Sequence, residues 1–256
     1  MTMPKMPPRF AHVPLAHRAF HDVRRGRPEN SRAAIQAAIE AGYGIEIDVQ
    51  LSADGAAMVF HDYHLGRLTE VDGEVRQTDA DALRAIPLRG GREGIPDLPD
   101  VLALVAGRVP LLIEVKDQDG AMGRNVGVLE RAVAHALGDY AGDVAVMSFN
   151  PHSVAAMQEL CPDIARGLTT AAFCAEDWPL SEAVCAHLRE IPDYERVGAS
   201  FISHEVSDLA RPRVAALKRA GAMVACWTVT SAAQEVQARK VADTVTFESY
   251  RAALPD

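Results

Sequence analysis

The sequence predicts a closed (β/α)8 barrel, and three observations carry that expectation. Short apolar runs of strand length alternate with helix-period segments along nearly the whole chain. Such alternation needs parallel crossovers, each returning the chain over a sheet by way of a helix. Eight strand-like runs in 256 residues match a closed barrel of about 250 residues better than an open sheet. A hydrophobic content of 48% supplies the core that a fold of this size must bury.

The elements follow in order. The apolar run Val-Pro-Leu-Ala-His predicts a first strand at 13–17, and a helix over 30–41 is opened by Asn30 as its cap. The second strand, 44–50, is followed by Ser-Ala-Asp-Gly, turn chemistry that sends 56–61 back as an antiparallel arm. Residues 63–96 break the rhythm. They are charged and Gly-rich, with a brief helical piece at 78–86, and read as a small insertion beside the barrel mouth whose charges form a solvated surface. Helices are expected at 97–107, 122–138, 151–160, 180–190, 209–220 and 231–239, several opened by a capping residue, Asp97, Asn150, Asp208 or Ser231. Between and after them lie apolar runs of strand length at 110–116, 143–149, 164–169, 198–203, 222–229 and 242–247. The chain is expected to form one domain over 1–256.

Charge and cysteine usage exclude several classes. The net charge is -9, and no basic run exceeds Arg24-Arg25-Gly26-Arg27, so nucleic acid is not an expected partner. Cys161, Cys174, Cys185 and Cys226 are scattered without a Cys-x-x-Cys pair, which indicates reduced thiols rather than a disulfide framework or a zinc site. No stretch approaches the ~18 apolar residues of a membrane span, and the first ten residues lack an apolar signal core. A soluble, cytoplasmic protein is expected; its oligomeric state is not written in the sequence.

Chemistry concentrates at the predicted strand ends. Glu46 and Asp48 are two apart on one strand and therefore share a face. Across the turn, position 46 faces His61 if Ala53 and Asp54 are central, and position 48 does if Asp54 and Gly55 are. An unpaired carboxylate in such a core costs several kcal/mol, of the order of a buried ion's penalty. His17-Arg18 ends the first strand, and Glu114 and Lys116 repeat the two-residue spacing on the strand at 110–116. Carboxylate oxygens without thiolates suit a hard cation, Mg2+ or Ca2+. Arg18 and Lys116 suit an oxyanion such as phosphate, and His17 and His61 suit an acid-base pair. Together these imply cleavage of a small-molecule phosphodiester.

Blander readings stand beside these. Glu46 and Asp48 can pair with Arg18 and Lys116 in a metal-free barrel, although three acids against two bases leave a surplus that a cation would balance. Trp227 is either a core aromatic or a rim contact to a glycerol or head group, and Phe149 is a packing residue first. His21 and His64 lie close enough in sequence to the mouth to assist, whereas the remaining histidines read as packing or surface groups. Glu29 reads as structural, either at a helix start or tying down the Arg18 loop.

The order of motifs resembles the glycerophosphodiester phosphodiesterases. The matching pieces are Ala16-His17-Arg18, Pro28-Glu29-Asn30-Ser31, Ile45-Glu46-Ile47-Asp48-Val49, Asp54-Gly55, Val59-Phe60-His61-Asp62, Leu65-x-Arg67-x-Thr69, Ile95-Pro96-x-Leu98, Ile113-Glu114-x-Lys116, Ser148-Phe149 and Trp227-Thr228-Val229. The resemblance implies a TIM barrel with a small insertion after the His-Asp motif. It further implies a divalent metal on Glu46, Asp48 and Glu114, acid-base roles for His17 and His61, and phosphate contacts from Arg18 and Lys116. The implied reaction converts a glycerophosphodiester and water to glycerol 3-phosphate and an alcohol. Three departures sit at the top of the barrel, where selectivity is set. Ala19 replaces a usual glycine and is followed by Phe20-His21-Asp22, Glu248 ends Val245-Thr246-Phe247 where Ile-Thr-Asp is common, and Thr230 stands where asparagine is common. Competing readings are a lysophospholipase D-like hydrolase, which needs an apolar groove, and a non-catalytic barrel that binds a phosphorylated metabolite.

Overall fold

A computed structural model describes residues 4–254. After a short helix α1 (Arg9–His12), eight parallel strands close into a barrel: β1 (Leu15–Ala16), β2 (Gly44–Leu51), β4 (Leu111–Val115), β5 (Val144–Ser148), β6 (Ala165–Thr170), β7 (Phe201–Glu205), β8 (Met223–Val229) and β9 (Thr244–Phe247). Closure comes from β1, which pairs with β2 on one side, Leu15 against Gly44, and with β9 on the other, Leu15 against Thr246. The connections carry α2 (Arg32–Ala41), α4 (Leu98–Val105), α5 (Val128–Leu137), α6 (Pro151–Leu160), α7 (Glu182–Arg189), α8 (Pro212–Arg219) and α9 (Ala232–Ala238). Their apolar faces and the outward residues of the strands, such as Ile45, Ile47, Val49, Ile113, Val115 and Val224, form one continuous core. The (β/α)8 barrel is thus the observed fold. No helix of the described residues is long and apolar enough to cross a membrane.

Inward residues alternate along each strand and fill the barrel in layers. The N-terminal end is plugged by Leu15, Leu112, Ala145, Ala165 and Phe201, with Met6 and Phe10 from the segment of α1 packed beneath. Gly167 is required here: a Cβ at this position would lie 2.5 Å from the Phe201 ring. The next inward positions are polar, and they open toward the C-terminal mouth.

Several boundaries differ from the sequence expectation for identifiable reasons. Helix α5 starts at Val128 rather than 122, because Asp117 accepts hydrogen bonds from the amides of Asp119, Gly120 and Met122, while Asp119 accepts those of Ala121, Gly123 and Asn125. Amides held by side chains in this way favour a loop over a helix. Two expected caps are also different. Ser31, not Asn30, caps α2 by accepting from Ala34 N, and Asp208 lies in a 3-10 turn ahead of α8, which begins after Arg211.

Neither expected hairpin register is adopted. β3 (Ala57–Val59) pairs antiparallel with β2 through Val49–Val59 and Leu51–Ala57, so Asp48 lies opposite Phe60, whose N–H it receives at 3.0 Å. The turn has three central residues, Ala53 to Gly55, closed by Ser52 N donating to Ala56 O and Ala56 N to Ser52 Oγ. Gly55 takes φ 89°, the left-handed position that such a loop needs. By this count His61 would follow Ile47 to the outer face. It reaches the mouth instead because the strand ends at Val59 and the chain turns away. The segment that follows contains α3 (Ala80–Ala85) and is built on its own apolar cluster of Met58, Phe60, Leu65, Val75, Leu83 and Ile95.

Candidate active site

The C-terminal strand ends bring most of the expected residues into one polar mouth. Glu46 and Asp48 stand on β2, Glu114 on β4 with Lys116 just beyond it, and His17 and Arg18 directly follow β1. One oxygen from each of Glu46, Asp48 and Glu114 lies within 4.8 Å of the others, and all three side chains are buried. Lys116 Nζ sits between two of them, 2.7 Å from Asp48 Oδ1 and 2.6 Å from Glu114 Oε1. Burial alone would lower the Lys116 pKa, but Asp48 and Glu114 raise it, so the ammonium is secured. Burial would likewise raise Asp48, yet Lys116, His61 and Arg18 hold it well below the ordinary carboxylate range.

Glu46 is the surplus acid. Its Oε2 accepts only a neutral donor, the Arg18 amide at 2.8 Å, and among the described residues it has no ion-pair partner. Burial, then repulsion from Asp48 and Glu114, pushes its pKa well above the usual value. The salt-bridge reading therefore holds only in part. Lys116 pairs with Asp48 and Glu114, but Arg18 donates to Glu29 at 2.9 Å, with its Nε 3.9 Å from Asp48, and Glu46 remains unbalanced. Three converging carboxylates with uncompensated charge and no sulfur ligand fit a hard divalent cation.

The loop after β1 is folded tightly over this cluster. Arg18 and Ala19 both have positive φ, 50° and 65°, a conformation that costs an L-residue about 1–2 kcal/mol. Hydrogen bonds hold it: Ala19 N donates to Glu46 O, and Asn30 N to Arg18 O. The methyl group of Ala19 is accommodated in the core. Asn30, buried and itself at φ 58°, donates from Nδ2 to Asp48 Oδ2 at 2.9 Å, and its Oδ1 receives Asp48 N at 3.3 Å. Sequence reasoning gave Asn30 a capping role. The neighbouring Ser31, which serves as well as a cap, was the signal that Asn30 was free for other work.

Both histidines are braced by carboxylates. His17 Nδ1 donates to Glu248 Oε2 at 2.7 Å, and His61 Nδ1 to Asp62 Oδ1 at 2.6 Å, which leaves each Nε2 as the free nitrogen. Burial lowers the His17 pKa, partly opposed by the bond to Glu248. The hydrogen bond from His17, with the nearby His21 ring, holds Glu248 well below its ordinary range. Asp62, which burial would raise, is held low by His61 and Arg67. Arg67 also donates to both oxygens of Glu29, at 2.9 and 2.7 Å, so Glu29 ties Arg67 to Arg18 across the mouth. The insertion is thus not merely a solvated surface: it sends Arg67 into the site. His21 reaches Glu248 at 3.7 Å, whereas His64 is exposed on the insertion, its backbone paired antiparallel with Glu74. Trp227 stands apart from the acids. Its Nε1 donates to Ser203 O, and its ring packs edge-on to Phe149 at 5.5 Å in a cluster with Phe173 and Trp178.

Histidines braced by acids, with basic side chains, around a carboxylate cluster at the C-terminal end of a closed barrel are the groups a phosphodiesterase site calls for. A model of the glycerophosphoryl diester phosphodiesterase family matches residues 17–246, and the chain belongs to that family. It is 33% identical over 151 residues to an uncharacterized protein, YqiK, of Bacillus subtilis, covering 56% of this chain and 61% of that protein. It is 29% identical over 176 residues to a glycerophosphodiester phosphodiesterase of Caldanaerobacter subterraneus subsp. tengcongensis, covering 65% and 70%. The matches thus span about three fifths to seven tenths of these relatives. The fold is similar to that of an Oleispira antarctica phosphodiesterase in complex with the product sn-glycerol-3-phosphate, with a TM-score of 0.74, 24% identity and 92% of each chain covered.

Proposed function

We propose that this chain hydrolyses glycerophosphodiesters to glycerol 3-phosphate and an alcohol, using a divalent cation, Mg2+ or Ca2+, and the pair His17 and His61. The observation that carries the reading is the unbalanced carboxylate cluster lying beside two histidines whose Nδ1 atoms are each held by an acid. Membership of the family and the product complex of the Oleispira relative support the same substrate class.

Glu46, Asp48 and Glu114 would hold the cation, which when bound offsets charge on the non-bridging phosphate oxygens. Arg18 and Lys116 add donors for the same oxygens, fixed before substrate arrives by Glu29 and by the two acids. His17 has a lowered pKa and is therefore neutral near pH 7, the form a general base needs; its Nε2 takes a proton from water or from the neighbouring glycerol hydroxyl. His61, oriented by Asp62, delivers a proton to the leaving alkoxide. Glu248 orients the His17 ring and stabilises the imidazolium formed when it accepts the proton. Trp227 lines the glycerol or head-group side of the mouth, and the whole chain, insertion included, acts as one catalytic unit.

A lysolipid substrate would need an apolar groove. The aromatics beyond the strand ends, Phe149, Phe173, Trp178 and Trp227, pack on one another instead. The test is turnover on a panel of glycerophosphodiesters and lysolipids, with and without chelator, with each product identified. His17→Ala and His61→Ala should each lower turnover by ~10²–10⁴ while metal affinity stays nearly constant. Unimpaired turnover by both variants would refute the acid-base assignment, and full activity in chelator would refute the cation.

A further inference from the structure

The catalytic reading leaves unused a cavity of about 520 Å³ formed by the segment after β1 and the segment after β9. It shares a wall with the site, because Glu248, the partner of His17, lines it. Its other walls carry Arg24, Arg25, Arg27 and Arg251. Against these four arginines the lining offers two carboxylates, Asp22 and Glu248, in a chain whose net charge is -9. A surplus of positive charge gathered in one concave place on an acidic protein marks an anion site.

The arginines are positioned but incompletely satisfied. A tight loop exchanges backbone hydrogen bonds between Asp22 and Arg27 and presents Arg24 and Arg25 at its tip. Arg27 and Arg251 flank the Phe20 ring, with guanidinium carbons 5.3 and 6.0 Å from its centroid. Arg27 has only a distant carboxylate, Asp22 at 3.6 Å, and its buried Nε lacks a hydrogen-bond partner. His21 Nε2, on the same wall, is likewise buried without one. Among the described residues, no carboxylate lies within ion-pair distance of Arg251. Guanidinium groups stacked on an aromatic ring in the wall of a cavity are suited to holding a phosphate or carboxylate.

We propose that this cavity binds a second anionic group on the substrate, a phosphate or carboxylate carried by one arm of the diester, so that preferred substrates bear a negative charge beyond the phosphate that is cleaved. The inference rests on the phosphodiesterase reading and names a substrate class within it. Glu248 would keep His17 and the cavity in register, and its charge would repel an anion placed too close to the reacting centre.

A matched pair of substrates tests this. Glycerophosphoglycerate and glycerophosphoglycerol differ by a carboxylate in place of a hydroxymethyl group. The expected kcat/KM is about tenfold or more higher for the carboxylate, the worth of one charge-assisted hydrogen bond. Product identity, glycerol 3-phosphate or phosphoglycerate, tells which arm occupies the cavity. Arg27→Gln combined with Arg251→Gln should bring the ratio close to one. If that variant does not fold, Arg24→Gln with Arg25→Gln, both exposed, should still lower it. A wild-type ratio of one or less, or an unchanged ratio in a folded variant, overturns the proposal. If neither diester is cleaved with Mg2+ or Ca2+, the phosphodiesterase reading fails separately. The cavity is then judged by calorimetric titration of pyrophosphate in chelator, where an affinity about tenfold weaker in the arginine variants upholds an anion site and equal affinity rejects it.

Discussion

Replacing Glu46 by glutamine should change stability and metal binding in opposite directions. Oxygens of Glu46, Asp48 and Glu114 lie within 4.8 Å of one another. At that separation, with an effective dielectric of about 20, two like charges repel by roughly 3 kcal/mol. Lys116 lies between Asp48 and Glu114 and offsets about one of their two charges. Removing the Glu46 charge thus relieves close to one such repulsion. Part of the gain is lost because the new amide N–H2 needs partners, a cost of about 1–3 kcal/mol when unmet, while the side-chain oxygen can still accept from Arg18 N. A net stabilisation of up to about 2 kcal/mol is expected in chelator, or up to roughly 8 °C in Tm for a chain of this size.

With Mg2+ or Ca2+ the order reverses. A cation at one hundred times its Kd stabilises the wild type by about 2.7 kcal/mol, and Glu46→Gln should lose most of that increment along with its activity. Scanning calorimetry with chelator and with each cation provides all the required comparisons. The pH dependence adds a sign. Glu46 has a folded pKa above its unfolded value, so the folded state binds more protons and its destabilising effect grows as pH rises through that interval. Lowering the pH should therefore close the gap between variant and wild type. A glutamine variant less stable than wild type in chelator, or one that keeps the full cation-induced shift, would refute the assignment of Glu46 as an uncompensated ligand.

The remaining predictions concern residues that position the site. Asn30→Gly keeps the left-handed backbone available but removes both hydrogen bonds to Asp48; urea unfolding should show a loss of about 1–3 kcal/mol, and cation titration a weaker affinity. Glu248→Gln removes the carboxylate charge that helps raise the His17 pKa, so the acid limb of kcat/KM should move to lower pH as kcat falls, and an unmoved limb would show that Glu248 does not tune His17. Ala19→Gly should relieve a strained φ of 65° and raise stability by up to about 1 kcal/mol; a lower Tm would mean that the buried methyl contributes more than the strain costs.

The barrel was legible because its signals are local. Each strand announces itself by a short apolar run, each helix by a period and often by a cap, and parallel connection then leaves few topologies. What misled was equally local. The Asp117 and Asp119 side chains take loop amides that a helical pattern over 122–138 assigns to a helix. The three-residue turn at Ala53–Gly55 shifts the hairpin by one position, a slip that reverses the face of every residue in the arm. His61 reaches the mouth only because pairing stops at Val59.

For the site, residue spacing along single strands placed Glu46 with Asp48, and Glu114 with Lys116, because a period of two decides which side chains share a face. Partners contributed by distant loops carry no such signal. Glu248 is 231 residues from His17 and Arg67 is 38 from Glu29, so neither contact follows from local spacing, yet these are the groups that brace His17 and, through Glu29, Arg18. The same separation explains why the Glu248 departure read as a change in specificity alone. In the folded chain Glu248 touches His17 on one side and lines the arginine cavity on the other. If both proposals hold, a single substitution at the end of the last strand is expected to act on proton transfer and on substrate choice together, and the pH profile and the anion preference measured on the same Glu248 variant separate them.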